Sequence, residues 1–214
     1  MLQLVVLLIF LLTVACLWFQ GLWGNILNLV NLFFSMLVAF NFYEPLCAFL
    51  ETHKPVGTYT YLLDFVVIWL LFMLSFLIFR LFSDMISRHR LRFPMIYEMI
   101  GRSVMAIVVA YFFVGFFLVT LHVAPVSAQP MGGLQTPQSA TFLFLAPDRQ
   151  ILAFMQSRSA GSLSRTAFTP SAYGASKEDE KTLAVFDPNS EFTIKHHERR
   201  KLFMKESDYR VNRP

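Results

Sequence analysis

Charge is the scarcest feature of this 214-residue chain, with 15% Asp, Glu, Lys and Arg against about a quarter in an ordinary soluble domain. No charged side chain precedes Glu44. Because 56% of the residues are hydrophobic, a soluble fold would have more apolar surface than it can hide. Cysteine is nearly missing too. Cys16 and Cys47 both lie in apolar runs, so neither a disulfide framework nor a zinc spacing can be built. No Gly-rich phosphate loop, nucleophile elbow, zinc-protease signature or paired-carboxylate motif occurs, which leaves no sequence basis for an enzyme or a cofactor. No Lys or Arg stands before Cys16, so Thr13-Val14-Ala15-Cys16 lacks the basic region of a cleaved leader or lipoprotein signal. Residues 2–19 are therefore expected to stay as a membrane helix. The net charge of +4 is too mild to suggest nucleic acid as a partner.

What is present is apolar sequence in long runs. Residues 1–122 hold six Lys/Arg and five Asp/Glu, whereas residues 123–214 hold twelve and nine. The chain thus divides into a membrane part, 1–122, and an aqueous, basic, partly disordered tail, 123–214. A helix needs about 20 apolar residues to cross the roughly 30 Å hydrocarbon core, and four stretches qualify, near 2–19, 25–43, 60–80 and 102–122. Unpaired backbone groups are not tolerated in lipid, so each is read as a helix. The expected fold is an all-α integral membrane protein of four spans plus a mostly irregular tail with one or two short helices.

Orientation follows from arginine. Arg80, Arg88, Arg90, Arg92 and Arg102 cluster between spans three and four, while Lys54 is the one basic residue between spans two and three. The positive-inside rule makes the Arg-rich loop cytoplasmic and puts both termini on the opposite side. The 26 residues after His122 contain no Lys or Arg, in agreement with that. The loop over 84–101 mixes arginines with Met, Ile, Leu and Phe, as a surface-lying amphipathic segment does, and Pro94 interrupts it.

Polar and small residues inside the spans are the candidate sites. On the second span Gly21, Gly24, Asn28, Asn31, Ser35 and Ala39 recur every three or four residues and line one helical stripe. Such a stripe packs helices through close approach and interhelical hydrogen bonds, or lines a pathway that lets Asn28 and Asn31 touch a substrate. The fourth span repeats the pattern with Ser103, Ala106 and Ala110, and with Gly101 and Gly115 on a neighbouring face. Asp64 stands four residues into the third span. An intramembrane carboxylate is a candidate ion or proton site, although at a span edge it can instead reach interfacial water or the positive end of the helix dipole. Arg80 and Asp84, four apart, are expected to pair.

In the tail, a helix is expected after Pro147-Asp148 with Ile151, Leu152 and Met155 on its apolar face. A second should start at Ser190 as N-cap and run to about Glu206. His196 and His197 are adjacent, diverge by about 100 degrees on a helix and do not make a metal pair.

The second span, from Gln20-Gly21 through Asn25-Ile26-Leu27-Asn28-Leu29-Val30 to Ala39-Phe40-Asn41-Phe42-Tyr43-Glu44-Pro45-Leu46, resembles that of the colicin V production protein (CvpA) family of small bacterial inner-membrane proteins. That family opens this span on Arg-Gly, where Gln20 replaces the Arg and Gly21 is kept. Its Asp-Arg and spaced glycines before the fourth span correspond to Tyr97-Glu98-Met99-Ile100-Gly101-Arg102, with Met105 and Val109 where glycines are expected. The tail segments Ala146-Pro147-Asp148-Arg149, Ser159-Ala160-Gly161-Ser162-Leu163 and Phe186-Asp187-Pro188 through Glu198-Arg199-Arg200 are similar to planctomycete members. The resemblance implies a non-enzymatic protein that assists toxin production, export or envelope assembly, with no site residue to transfer. Its partners would be the bilayer and other membrane proteins or a second copy of itself. The alternative is a transporter or channel subunit that uses Asp64 and the Asn28/Asn31 stripe.

Overall fold

A computed structural model describes residues 2–53, 60–87, 93–124, 142, 145–159 and 185–198. The described chain is all-helical apart from turns and one isolated bridge between Phe142 and Leu145. The protein is an all-α, membrane-embedded chain. Helix α1 spans Leu2–Trp18, α2 Gly21–His53, α3 Thr60–Ile86, α4 Met95–Val123 and α5 Pro147–Ser159. Helices α2, α3 and α4 are long and apolar enough to cross a membrane. Helix α1 is apolar except for Gln3 and Thr13, but its 17 residues reach about 25 Å at 1.5 Å per residue.

Three boundaries differ from the sequence reading. The expected break before α2 shrinks to Phe19 and Gln20, because Gln20 N–H bonds to Leu17 O at 3.0 Å and Gly21 takes φ +76°, starting α2 at once. At its other end α2 runs through Pro45 to His53. Proline removes one backbone donor from a helix, and the helix continues past it here. Residues 95–100, expected in a surface segment, form the first turns of α4, with Pro94 at its N-cap position. In that position its missing N–H is no loss.

Helix α2 is the centre of the molecule. Its main neighbours are α3 on one side and α4 on the other, and α1 leans on α4. The core is aromatic: Phe72 stacks on Phe116 at 4.1 Å between centroids, Trp69 meets Phe116 edge-on at 5.4 Å, and Phe40 meets it at 5.7 Å. Such pairs add about 0.5–1.5 kcal/mol each beyond area burial.

The described tail segments pack on this bundle. On α5, Ile151 and Met155 are buried and Leu152 is half-buried, the apolar face expected. A helical turn over residues 192–198 follows. Its first N–H groups, on Glu191 and Phe192, bond to Asp187 Oδ1 at 2.7 and 3.1 Å. Asp187 rather than Ser190 is therefore its side-chain cap, because a carboxylate offers a stronger acceptor to helix-end donors. Ser190 Oγ lies against the Gln156 amide instead. Phe186 and Phe192 stack around Phe40 and Tyr43.

Candidate functional site

Apolar helices that must lie side by side in lipid gain little from burying more apolar surface, so polar contacts between them stand out. These contacts concentrate at one end of the bundle, where α1 stops, α2 starts, α3 stops and α4 starts. Asn28 on α2 donates from Nδ2 to Gln20 Oε1 at 2.5 Å and accepts at Oδ1 from an Arg80 Nη group on α3. One turn further along, Asn31 Oδ1 accepts from Ser83 Oγ at 2.8 Å. Nearer the helix end, Trp23 Nε1 donates to Ser87 Oγ at 2.7 Å. Arg80 Nε bonds to Asp84 Oδ2 at 3.1 Å, the expected pair.

The α4 side of this layer is built from Glu98. Its Oε1 accepts from Leu22 N–H at 2.8 Å, so a carboxylate from one helix caps the start of another, where the helix dipole is positive. Gly21 is required there twice over: its φ is positive, and a Cβ would lie 2.9 Å from that same oxygen. Gly101 admits Leu22, whose Cδ2 would stand 2.8 Å from an added Cβ. Asn25, fully buried, donates to Arg102 O at 3.3 Å, and the Arg102 guanidinium lies 4.9 Å from the Trp18 ring centre.

The expected stripe on α2 is thus directed into the chain. Asn28, Asn31, Ser35 and Ala39 are buried, and Ser35 Oγ returns its proton to Asn31 O at 2.6 Å. Among the described residues, a Cβ added at Gly24 would meet only Gln20, whose Cβ would lie 3.4 Å away. On α4, Ala106 and Ala110 are buried, while Gly115 receives Ile151 of α5, whose Cδ1 would be 2.6 Å from an added Cβ.

Asp64 is 6% exposed, within electrostatic reach of Tyr43, and therefore does not sit in open interfacial water. It lies away from the layer of Asn28 and Asn31. Sixteen residues of α3 separate Asp64 from Arg80, about 24 Å along the axis. Arg88, Arg90 and Arg92 lie outside the described residues. Among the described residues no group of three His, Cys, Asp or Glu is placed to hold a metal, and His196 packs on Phe192 at 4.5 Å between ring centres.

Two cavities meet at the polar layer. One, of about 500 Å³, lies between α1 and α3 and ends on Gln20, Asn28 and Arg80. The other, of about 600 Å³, is lined by Gln20, Gly24, Trp23, Arg80, Asp84 and Glu98 among others. The sequence reading missed Gln20, Ser83 and Glu98 as members of this layer. Gln20, the first polar residue after the uncharged helix α1, carried a signal; the partners of Ser83 and Glu98 depend on how helices far apart in the chain are juxtaposed. It also missed the buried pair of His122 Nε2 and Asp148 Oδ2, 3.1 Å apart, which joins α4 to α5. No family model, no curated protein and no solved structure matches this chain.

Proposed function

We propose that this is a non-enzymatic, multi-pass protein of a bacterial inner membrane, of the colicin V production type, which assists toxin production, export or envelope assembly by packing against other membrane proteins. In this reading α1 is a fourth crossing, the Arg80–Arg102 connection is cytoplasmic and both termini are periplasmic. One observation supports it above the rest. The Asn28 amide and Asn31 Oδ1 of α2 bond to Gln20, Arg80 and Ser83 of the same chain, while α3 turns an almost continuous apolar face outward. Only 22% of the most apolar stretch of α3 is buried, against 56% for α2 and for α4. Its outward face, with Leu70, Leu74, Leu77, Ile78 and Leu81, is the surface on which a partner helix packs.

A photocrosslinking residue placed at Leu74, Leu77 or Leu81 in intact membranes should give a discrete protein adduct. Adducts with lipid alone at all three positions would remove the reading. A transporter or channel subunit that uses Asp64 with Asn28 and Asn31 needs those groups on one path, and their separation along α3 favours the packing role. Flux that is unchanged by Asp64→Asn would agree with that preference.

A further inference from the structure

The cavity of about 500 Å³ between α1 and α3 falls in the size range of small-ligand sites, about 300–1,000 Å³. It exists because α1 rests on α4 while α3 rests on α2, which leaves a gap floored by α2 and α4. Its walls are apolar: Leu12 and Leu17 from α1, Leu32 from α2, Phe72 and Phe76 from α3, and Phe113 from α4. Thr13 adds no polarity, since its hydroxyl bonds to Ile9 O at 2.7 Å. Polar groups appear at one end alone, where Gln20, Asn28 and Arg80 close the slot.

Beyond that end, Arg80 and Gln20 also line the second cavity, together with Asp84, Glu98 and Trp23. Three charged groups there keep bonding capacity. Arg80 uses Nε for Asp84 and one Nη group for Asn28, so its other Nη group has no partner among the described residues. Asp84 bonds through Oδ2 and Glu98 through Oε1, which leaves Oδ1 and Oε2 without one. Among the described residues that line this cavity, a single guanidinium beside two carboxylates suits a head carrying both a phosphate and a primary ammonium. A purely anionic head would meet the carboxylates, and a quaternary ammonium has no N–H to donate.

The polarity also runs in the direction of a leaflet. Arg80 lies near the end of α3 and beside the α1–α2 turn, whereas Phe72 is eight residues deeper, about 12 Å toward the middle of the bundle. We infer that the two cavities, which share Gln20 and Arg80 in their walls, bind one aminophospholipid, with an acyl chain in the α1–α3 slot, its phosphate on Arg80 and Gln20, and its ammonium on Asp84 and Glu98. This inference does not rest on the partner-protein reading.

The test uses the full chain, delipidated in detergent and titrated with dioleoyl phosphatidylethanolamine, phosphatidylglycerol or phosphatidylcholine, with bound lipid counted by native mass spectrometry. Phosphatidylethanolamine should bind about tenfold tighter than the other two. Arg80→Gln should abolish that preference. Asp84→Asn, at a half-exposed side chain whose loss the fold tolerates, should reduce it several-fold with the helical circular dichroism unchanged. Cys16→Phe, which fills the slot wall, should weaken all three lipids. Equal binding of the three lipids, a preference that survives both Arg80→Gln and Asp84→Asn, displacement of the lipid by inorganic phosphate alone, or a second copy of the chain in place of lipid would each overturn the inference.

Discussion

The two ends of this bundle are held together by different chemistry. At the Arg80 end, helices are joined by single hydrogen bonds between amides, hydroxyls and charged groups, and space remains between them. At the Tyr43 end, Phe40, Tyr43, Phe186 and Phe192 interlock, and the buried His122–Asp148 pair fastens α5 to α4. Dense aromatic contact fixes position through many small attractions, whereas a sparse polar layer fixes register through a few directional ones. The polar end is therefore the one that can take in a molecule from the membrane without unpacking the core.

That contrast can be broken most strongly at Phe116, which is fully buried against Phe40, Trp69 and Phe72. Phe116→Ala should cost about 3–5 kcal/mol, read as a lowered midpoint of denaturation in detergent. Asp148→Ala removes the carboxylate bonded to His122 Nε2, and losing such a bond between buried groups costs about 1–3 kcal/mol. It should also release α5, measured as faster hydrogen exchange over Pro147–Ser159. Gly21→Ala, at φ +76° and against Glu98, should cost a similar 1–3 kcal/mol or so from backbone strain. A neutral result there would mean that the α1–α2 turn is not held as described. The smallest effect belongs to the polar layer: Ser83→Ala should cost about 0.6 kcal/mol, the average for an interhelical hydrogen bond in a membrane. If Ser83→Ala cost as much as Phe116→Ala, the two ends would not differ in the way described.

Much of the framework was legible in the sequence. The four apolar runs became α1 to α4, the face carrying Asn28, Asn31, Ser35 and Ala39 is the buried face of α2, and Arg80 pairs with Asp84. Helical spacing reveals a face because it depends on one helix alone. It does not reveal what meets that face, so Asn28 with Arg80 and Asn31 with Ser83, each pair 52 residues apart, could not be read. Gly115 looked like part of a membrane helix contact and in fact makes room for Ile151 of the tail. Tail charge marked an aqueous segment but gave no sign that Ile151, Met155, Phe186 and Phe192 of its described parts would be buried. The second span, read over 25–43, runs on through Pro45 to His53, where local propensity lost to the surrounding packing.

The claim that Asn28 and Asn31 of α2 bond to α3 within one chain has a direct measurement. In a background carrying Cys16→Ser and Cys47→Ala, the double substitution Asn31→Cys with Ser83→Cys can be oxidised in native membranes and the products separated by mass. The positions that bond at 2.8 Å should join within one chain, giving a monomer with an internal crosslink between α2 and α3. A crosslinked dimer, or no crosslink under conditions that oxidise exposed thiols, would contradict it and return the stripe to a partner.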